Sequence, residues 1–99
     1  MRVFTLEDAV EDIERARLFY EDRQTGVGHY FVEAILADLE FLSRCSGVHR
    51  RHFGFHRMLS KRFPFGVYYE VERNTAFIYA ILDIRRDPIW IRKELERTK

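Results

Sequence analysis

Apolar residues recur at three-or-four spacing through Leu6, Ala9, Val10, Ile13, Ala16 and Tyr20, which predicts one buried helix face over residues 6–23. A short strand, Arg2 to Thr5, precedes it. Thr5 is placed to cap this helix with Asp8 at the reciprocal position, and Glu7, Asp8, Glu11 and Asp12 lie near its positive end, where acids are favoured. Gln24-Thr25-Gly26 breaks the period. It resumes from Val27 to Arg44, with Val27, Phe31, Ala34, Ile35, Leu39 and Leu42 in phase, so two helices should pair as an antiparallel hairpin.

Beyond residue 45 the spacing changes. Residues 46–54 show no period and carry two glycines, the mark of a basic loop. His56 to Ser60 reads as a strand, ended by a turn at Lys61-Arg62-Phe63-Pro64. Phe65, Val67, Tyr69 and Val71 alternate with more polar partners, as in a half-buried antiparallel strand. Arg73-Asn74 is the tip of a tight hairpin, with Asn74 suited to positive φ. Thr75 to Ile84 pairs back, with Ala76, Ile78, Ala80, Leu82 and Ile84 on one side. Asp87 as N-cap and Pro88 in the first turn then open a short helix, Ile89 to Glu96. The order strand, helix, helix, three strands, helix predicts an α+β fold: an N-terminal helical hairpin on a small, mostly antiparallel sheet, with a short C-terminal helix.

Length and composition narrow this picture. Ninety-nine residues make one domain, 1–99, and 46% hydrophobic content with 15 aromatic residues is enough to build a core. No apolar run approaches the roughly 18 residues of a membrane span, and the lone Cys45 fits no disulfide or thiolate metal pattern. A cytoplasmic location follows as the expectation. Net charge is only +1, yet residues 1–47 carry a formal −5 and residues 48–99 a formal +6. The second half is therefore the candidate for anionic contact. Fourteen of its seventeen Lys and Arg chain-wide are Arg, the group that forks onto phosphates and carboxylates.

Four stretches, AVEDIERARLFYE, GVGHYFVEAI, HRMLSKRFPFGVYYEVE and AILDIRRDPIW, resemble in order and spacing the ParE branch of the RelE/ParE toxin superfamily of plasmid-stabilisation and chromosomal toxin–antitoxin modules. The block from Arg57 to Val71 and the Arg86-Asp87-Pro88 signature carry the resemblance best. It implies a small toxin neutralised by a cognate antitoxin whose C-terminal segment folds over it. ParE members are held to poison DNA gyrase, whereas RelE members cut messenger RNA on the ribosome. Where the family often has His, three residues before the signature Arg, this chain has Asp83. RNA-cleaving relatives place Tyr or His near the C-terminus, and the ending RKELERTK has neither. The expected function is gyrase binding without chemistry of its own, with a RelE-type endonuclease or a degenerate, non-toxic relative as alternatives.

Candidate residues follow from charge and position. Arg50, Arg51, Arg57, Arg62, Arg85 and Arg86 are candidates for contact with target or antitoxin, although Arg57 and Arg86 could equally each hold a buried carboxylate. Tyr68, Tyr69 and Tyr79 lie in strands, where aromatics usually pack, and Trp90 reads as a core anchor. His49, His52 and His56 cluster, but flanking arginines oppose a cation, so no metal and no cofactor is expected. Ser60 and Cys45 lack a base at hand. Leu18, Phe19, Tyr30 and Phe41 fall outside the main stripes and predict an exposed apolar groove, formed by the helical hairpin and the edge of the sheet, for an acidic, amphipathic antitoxin segment. A homodimer is the other use of the same surface.

Overall fold

The computed structural model describes residues 1–97. Strand β1 (Arg2–Thr5) leads into helix α1 (Glu7–Arg23), then α2 (Val27–Cys45), β2 (Arg51–His52), β3 (Phe55–Leu59), β4 (Phe65–Glu72), β5 (Thr75–Asp83) and α3 (Pro88–Glu96). The five strands form one sheet in the order β1-β5-β4-β3-β2, antiparallel except for β1, which runs parallel to β5. The α+β architecture expected from the sequence is the one observed. No helix among the described residues is long and apolar enough to cross a membrane.

The helical hairpin closes through an acid that serves both helices. Gly26 takes a left-handed φ of 94° at the N-cap of α2, whose first turn has no acid of its own. Glu21, in the last turn of α1, accepts from Gly26 N and Gly28 N, both at 3.0 Å. One carboxylate thus satisfies two of the otherwise unpaired amides at a helix N-terminus. At Gly28 the helices touch: a Cβ there would stand 2.6 Å from the Arg17 carbonyl oxygen. Only glycine permits that approach.

Several local expectations give way to tertiary structure. Thr5 does not cap α1; Leu6 is the N-cap, with no side-chain bond, because Leu6 N–H donates to Ile78 O at 3.0 Å and keeps Thr5 in the sheet. Val10 is half exposed while Asp12, in phase with Ala9 and Ala16, is buried. The basic loop contains the two-residue strand β2, paired with β3. At the β4–β5 tip Arg73, not Asn74, takes the positive φ, 57°.

The sheet is covered on both faces, which corrects the half-buried reading of β4. Phe65, Val67 and Tyr69 face the hairpin with Phe31, Ile35, Leu39 and Leu42, whereas Tyr68 joins Phe55, Ile91 and Leu95 beneath α3. Strand β5 also changes sides. Tyr68 pairs with Ala80 and Tyr69 with Ile78, so Tyr79 is an extra residue in the ladder. Ala76 and Ile78 consequently face the hairpin while Ala80 and Leu82 face α3, not the single side their spacing predicts. Helix α3 begins as expected: Asp87 Oδ1 accepts from Ile89 N at 2.8 Å, with Pro88 in the first turn.

Candidate functional site

Past the β5 irregularity the ladder needs help from a side chain. Asp12, 3% exposed on α1, accepts from Ile81 N–H at 3.0 Å through Oδ2. Its Oδ1 accepts from Arg97 at 2.7 Å and Arg15 at 3.1 Å. Burial pushes the Asp12 carboxyl above its ordinary pKa, against the pull of the Ile81 amide and Arg97. Asp12 thereby ties α1, β5 and the end of α3 together, and forms the floor of a groove.

That groove, about 330 Å³, runs between α1 and the start of α3 and is lined mainly by Ala16, Phe19, Tyr20, Phe65, Ile81 and Trp90. Phe19 and neighbouring Leu18 are about half exposed. Cations frame it. Arg23 stands 4.4 Å over the Phe19 ring and Arg86 3.9 Å over the Trp90 ring. Trp90 is partly buried and carries this cation on its face, so it serves the rim as well as the core.

Asp83, at the position where the resembling family often has His, closes one end. Arg85 donates to it through its backbone N–H at 2.8 Å and its guanidinium at 3.1 and 2.7 Å. Burial raises the Asp83 pKa, but the bonds from Arg85 outweigh it and leave the carboxyl below its ordinary value. An acid held ionised in this way is a clamp on the β5–α3 turn.

A second cleft, about 400 Å³, opens beside the C-terminal part of α2 and includes Arg50, His52, Arg57 and Lys61. Its acid, Asp38, is buried and engaged: Ser60 Oγ donates to it at 2.6 Å and Lys61 N–H at 3.4 Å. Gly66 leaves room for the Arg57 stem, since a Cβ there would lie 3.0 Å from Arg57 Cδ. Arg57 Nε and the Tyr68 hydroxyl are both buried without a hydrogen-bond partner. Burial raises the Tyr68 pKa, and Arg57, close by across β3 and β4, counters it.

The six candidate arginines therefore fall into separate places. Arg50 and Arg57 meet at the second cleft, joined by Arg57 N–H to Arg50 O at 3.0 Å. Arg51 is held by Glu70 at 3.0 Å and Gly54 O at 2.9 Å. Arg62 reaches Tyr30 Oη at 3.1 Å from the β3–β4 turn, and Arg85 and Arg86 stand at the groove. Sequence reasoning missed Asp12 and Asp38. The available signal was their phase, because each acid occupies a position in its helix's apolar stripe.

His49 and His56 both engage Tyr69, which is fully buried. Among the described residues no group of three or more His, Cys, Asp or Glu is arranged to hold a metal.

The class defined by this architecture is the ParE-like fold: a helical hairpin across a mostly antiparallel sheet, closed by a short C-terminal helix. No protein-family model matches the sequence, and no curated protein matches it. Among solved structures, a chain described as "Chromosomal ParDE TA system from P. aeruginosa" superposes with a TM-score of 0.73 at 17% identity, covering 85% of this chain and 96% of that one. At this identity the likeness establishes the fold.

Proposed function

We propose that this chain is the toxin of a type II toxin–antitoxin module, neutralised by an antitoxin segment in the α1–α3 groove, and that it acts by binding DNA gyrase. The observation that carries the reading is the groove itself. An apolar trough with Phe19, Phe65 and Trp90 along it and Arg15, Arg23 and Arg86 about it suits an amphipathic segment with acidic flanks. A solved structure that shares the fold is itself named as part of a ParDE TA system.

Binding rather than cleavage is favoured by how the candidate acid–base groups are used. General acid–base chemistry on a phosphodiester needs a proton acceptor and a donor within reach of solvent. Tyr68 and Tyr69 are fully buried, His49 and His56 are bonded to Tyr69 or the backbone, and Asp83 is bonded to Arg85, which leaves His52, at the basic cleft, without an evident acid–base partner there. The basic cleft at Arg50 and Arg57 supports a second reading, messenger RNA cleavage on the ribosome, because its cations could face phosphate.

Supercoiling by gyrase, titrated with the purified protein, tests the first reading. Loss of supercoiling at near-stoichiometric protein is expected, and unaffected activity at large excess would remove gyrase as the target. Primer extension on transcripts after induction tests the second, where codon-linked cuts would replace the gyrase reading. Co-expression with the adjacent small open reading frame, followed by salt-dependent co-purification, tests the groove; a homodimer with no bound neighbour would overturn it.

A further inference from the structure

The three histidines in and beside the basic loop are not used by the proposed function, and two of them join a circuit of hydrogen bonds and ring stacking on Tyr69. Gly47 N–H donates to Tyr69 Oη at 2.9 Å, and His49 Nδ1 is bonded to the same oxygen. The His49 ring meets the Tyr69 ring edge-on, centroids 5.6 Å apart, while the His56 ring stacks on it at 5.2 Å and 28°. His56 Nδ1 lies 2.7 Å from the His49 carbonyl oxygen. Residues 47 to 49 are thus pinned to the sheet through one imidazole and one phenol, and the backbone of both Gly47 and His49 lies against that phenol's oxygen.

The partners dictate the protons. A carbonyl oxygen only accepts, so His56 Nδ1 carries the hydrogen in its bond to His49 O. Tyr69 Oη accepts the Gly47 N–H and has one hydrogen to give, which the circuit places on His49 Nδ1. That requires neutral His49 with its own hydrogen on Nε2. An imidazolium at position 49 would present N–H at Nδ1 and leave the buried Tyr69 hydrogen without its acceptor. The surroundings oppose that charge as well. His56 from β3 is the charge that bears on it, while Arg57, His52 from β2, Arg50 and Lys61 line the same cleft and its acid, Asp38 from α2, is already engaged by Ser60 and Lys61.

We propose that residues 46–50 form a pH-operated latch, held on Tyr69 by neutral His49 and released when His49 takes up a proton, so that Arg50 and the mouth of the basic cleft become mobile together. The latch stands whichever target the protein has. Burial, reinforced by His56, lowers the His49 pKa in the closed state. The sign follows: the open segment binds a proton more readily than the closed one, so closure is fully favoured above the ordinary histidine value. It weakens as pH falls below about 6.5, and the loss is complete below the closed-state value. Between those limits the open-to-closed ratio rises about tenfold per pH unit.

An NMR titration of the full chain from pH 8 to 5 tests the latch, following the His49 ring and the amides of residues 47–50. We expect those amides to move with His49, at one midpoint below about 6.5. His49→Asn places its Oδ1 where Nδ1 stood, keeping an acceptor for the Tyr69 hydroxyl, but cannot titrate, so its amides should hold their pH 8 positions throughout. Tyr69→Phe keeps the ring and removes the hydroxyl, so its amides should occupy the open positions already at pH 8, with the His49 midpoint raised. Amides that stay fixed through the His49 titration, that follow His52 or His56 instead, or that titrate unchanged in His49→Asn would overturn the proposal.

Discussion

Replacing Asp12 by Ala removes the side chain on which three elements converge, and its cost can be worked bond by bond. The Ile81 N–H loses its acceptor in a buried position, which costs about 1–3 kcal/mol. The Arg97 bond is charge-assisted, but Arg97 is about a quarter exposed, and solvent reduces its share to about 1 kcal/mol. Arg15 is mostly exposed and adds little. The better helix propensity of Ala returns about 0.5 kcal/mol, and relief of carboxylate burial offsets part of the rest. The net expectation is about 1–3 kcal/mol of destabilisation. Asp12→Asn keeps an acceptor for Ile81 and gives up the charge, so it should stay within about 1 kcal/mol of the parent. Urea unfolding at pH 7, followed by Trp90 fluorescence and far-UV circular dichroism, measures both variants, and in thermal unfolding a domain of this size should lose about 4–24 °C in Tm with Ala. There is also a pH signature. The folded pKa of Asp12 lies above 3.8, so its ionisation favours the unfolded chain. The parent should lose stability relative to Asp12→Asn as pH rises past 3.8, with no further loss above the raised folded value. An Ala variant within about 0.5 kcal/mol of the parent, or an Asn variant as damaged as Ala, would refute the role given to the Ile81 bond.

Three further perturbations probe other contacts. Tyr68→Phe deletes a buried hydroxyl with no hydrogen-bond partner, so stability should be unchanged or raised by up to about 1 kcal/mol; a loss above about 1 kcal/mol in urea unfolding would reveal a working bond to Arg57. Gly28→Ala drives a Cβ against the Arg17 carbonyl and Glu21, and the crowding should cost about 1–3 kcal/mol despite the better helix propensity of Ala, read by thermal denaturation. Arg85→Ala should raise the Asp83 pKa toward its ordinary value or beyond it, because burial remains when the guanidinium is gone; an unchanged carboxyl titration by NMR would contradict the clamp.

The helices were legible in the sequence because each has a single apolar stripe over four or more turns, and long periodic segments tolerate a few misplaced residues. Phe31, Ile35, Leu39 and Leu42 are buried as their spacing requires. The strands were legible in place but not in facing. One extra residue at Tyr79 inverts the later part of β5, and an inserted residue leaves no mark in a run of alternating apolar side chains that is apolar on both sides. The cover that α3 lays over Tyr68 and Leu82 was equally hidden, since a short amphipathic helix does not announce which surface it packs against.

The groove was only partly legible. Leu18, Phe19, Tyr30 and Phe41 predicted exposed apolar surface; the first three are about half exposed, but Phe41 is partly buried and of the four only Phe19 lines the groove. The placement of Arg86 over Trp90 and of Asp12 beneath them depends on the turn after β5, where Ile84 N–H bonds to Pro64 O at 2.9 Å. Asp12 and Asp38 read as surface acids on charge alone. Their phase with the apolar stripes was the contrary indication, and burial of a carboxylate in such a position requires partners that lie far away along the chain, here Ile81 and Ser60.

Growth after induction of this protein alone, compared with induction together with the adjacent small open reading frame, tests the central claim most directly. A toxin predicts arrest in the first culture and normal growth in the second. Undisturbed growth on induction of well-expressed, folded protein alone would contradict it.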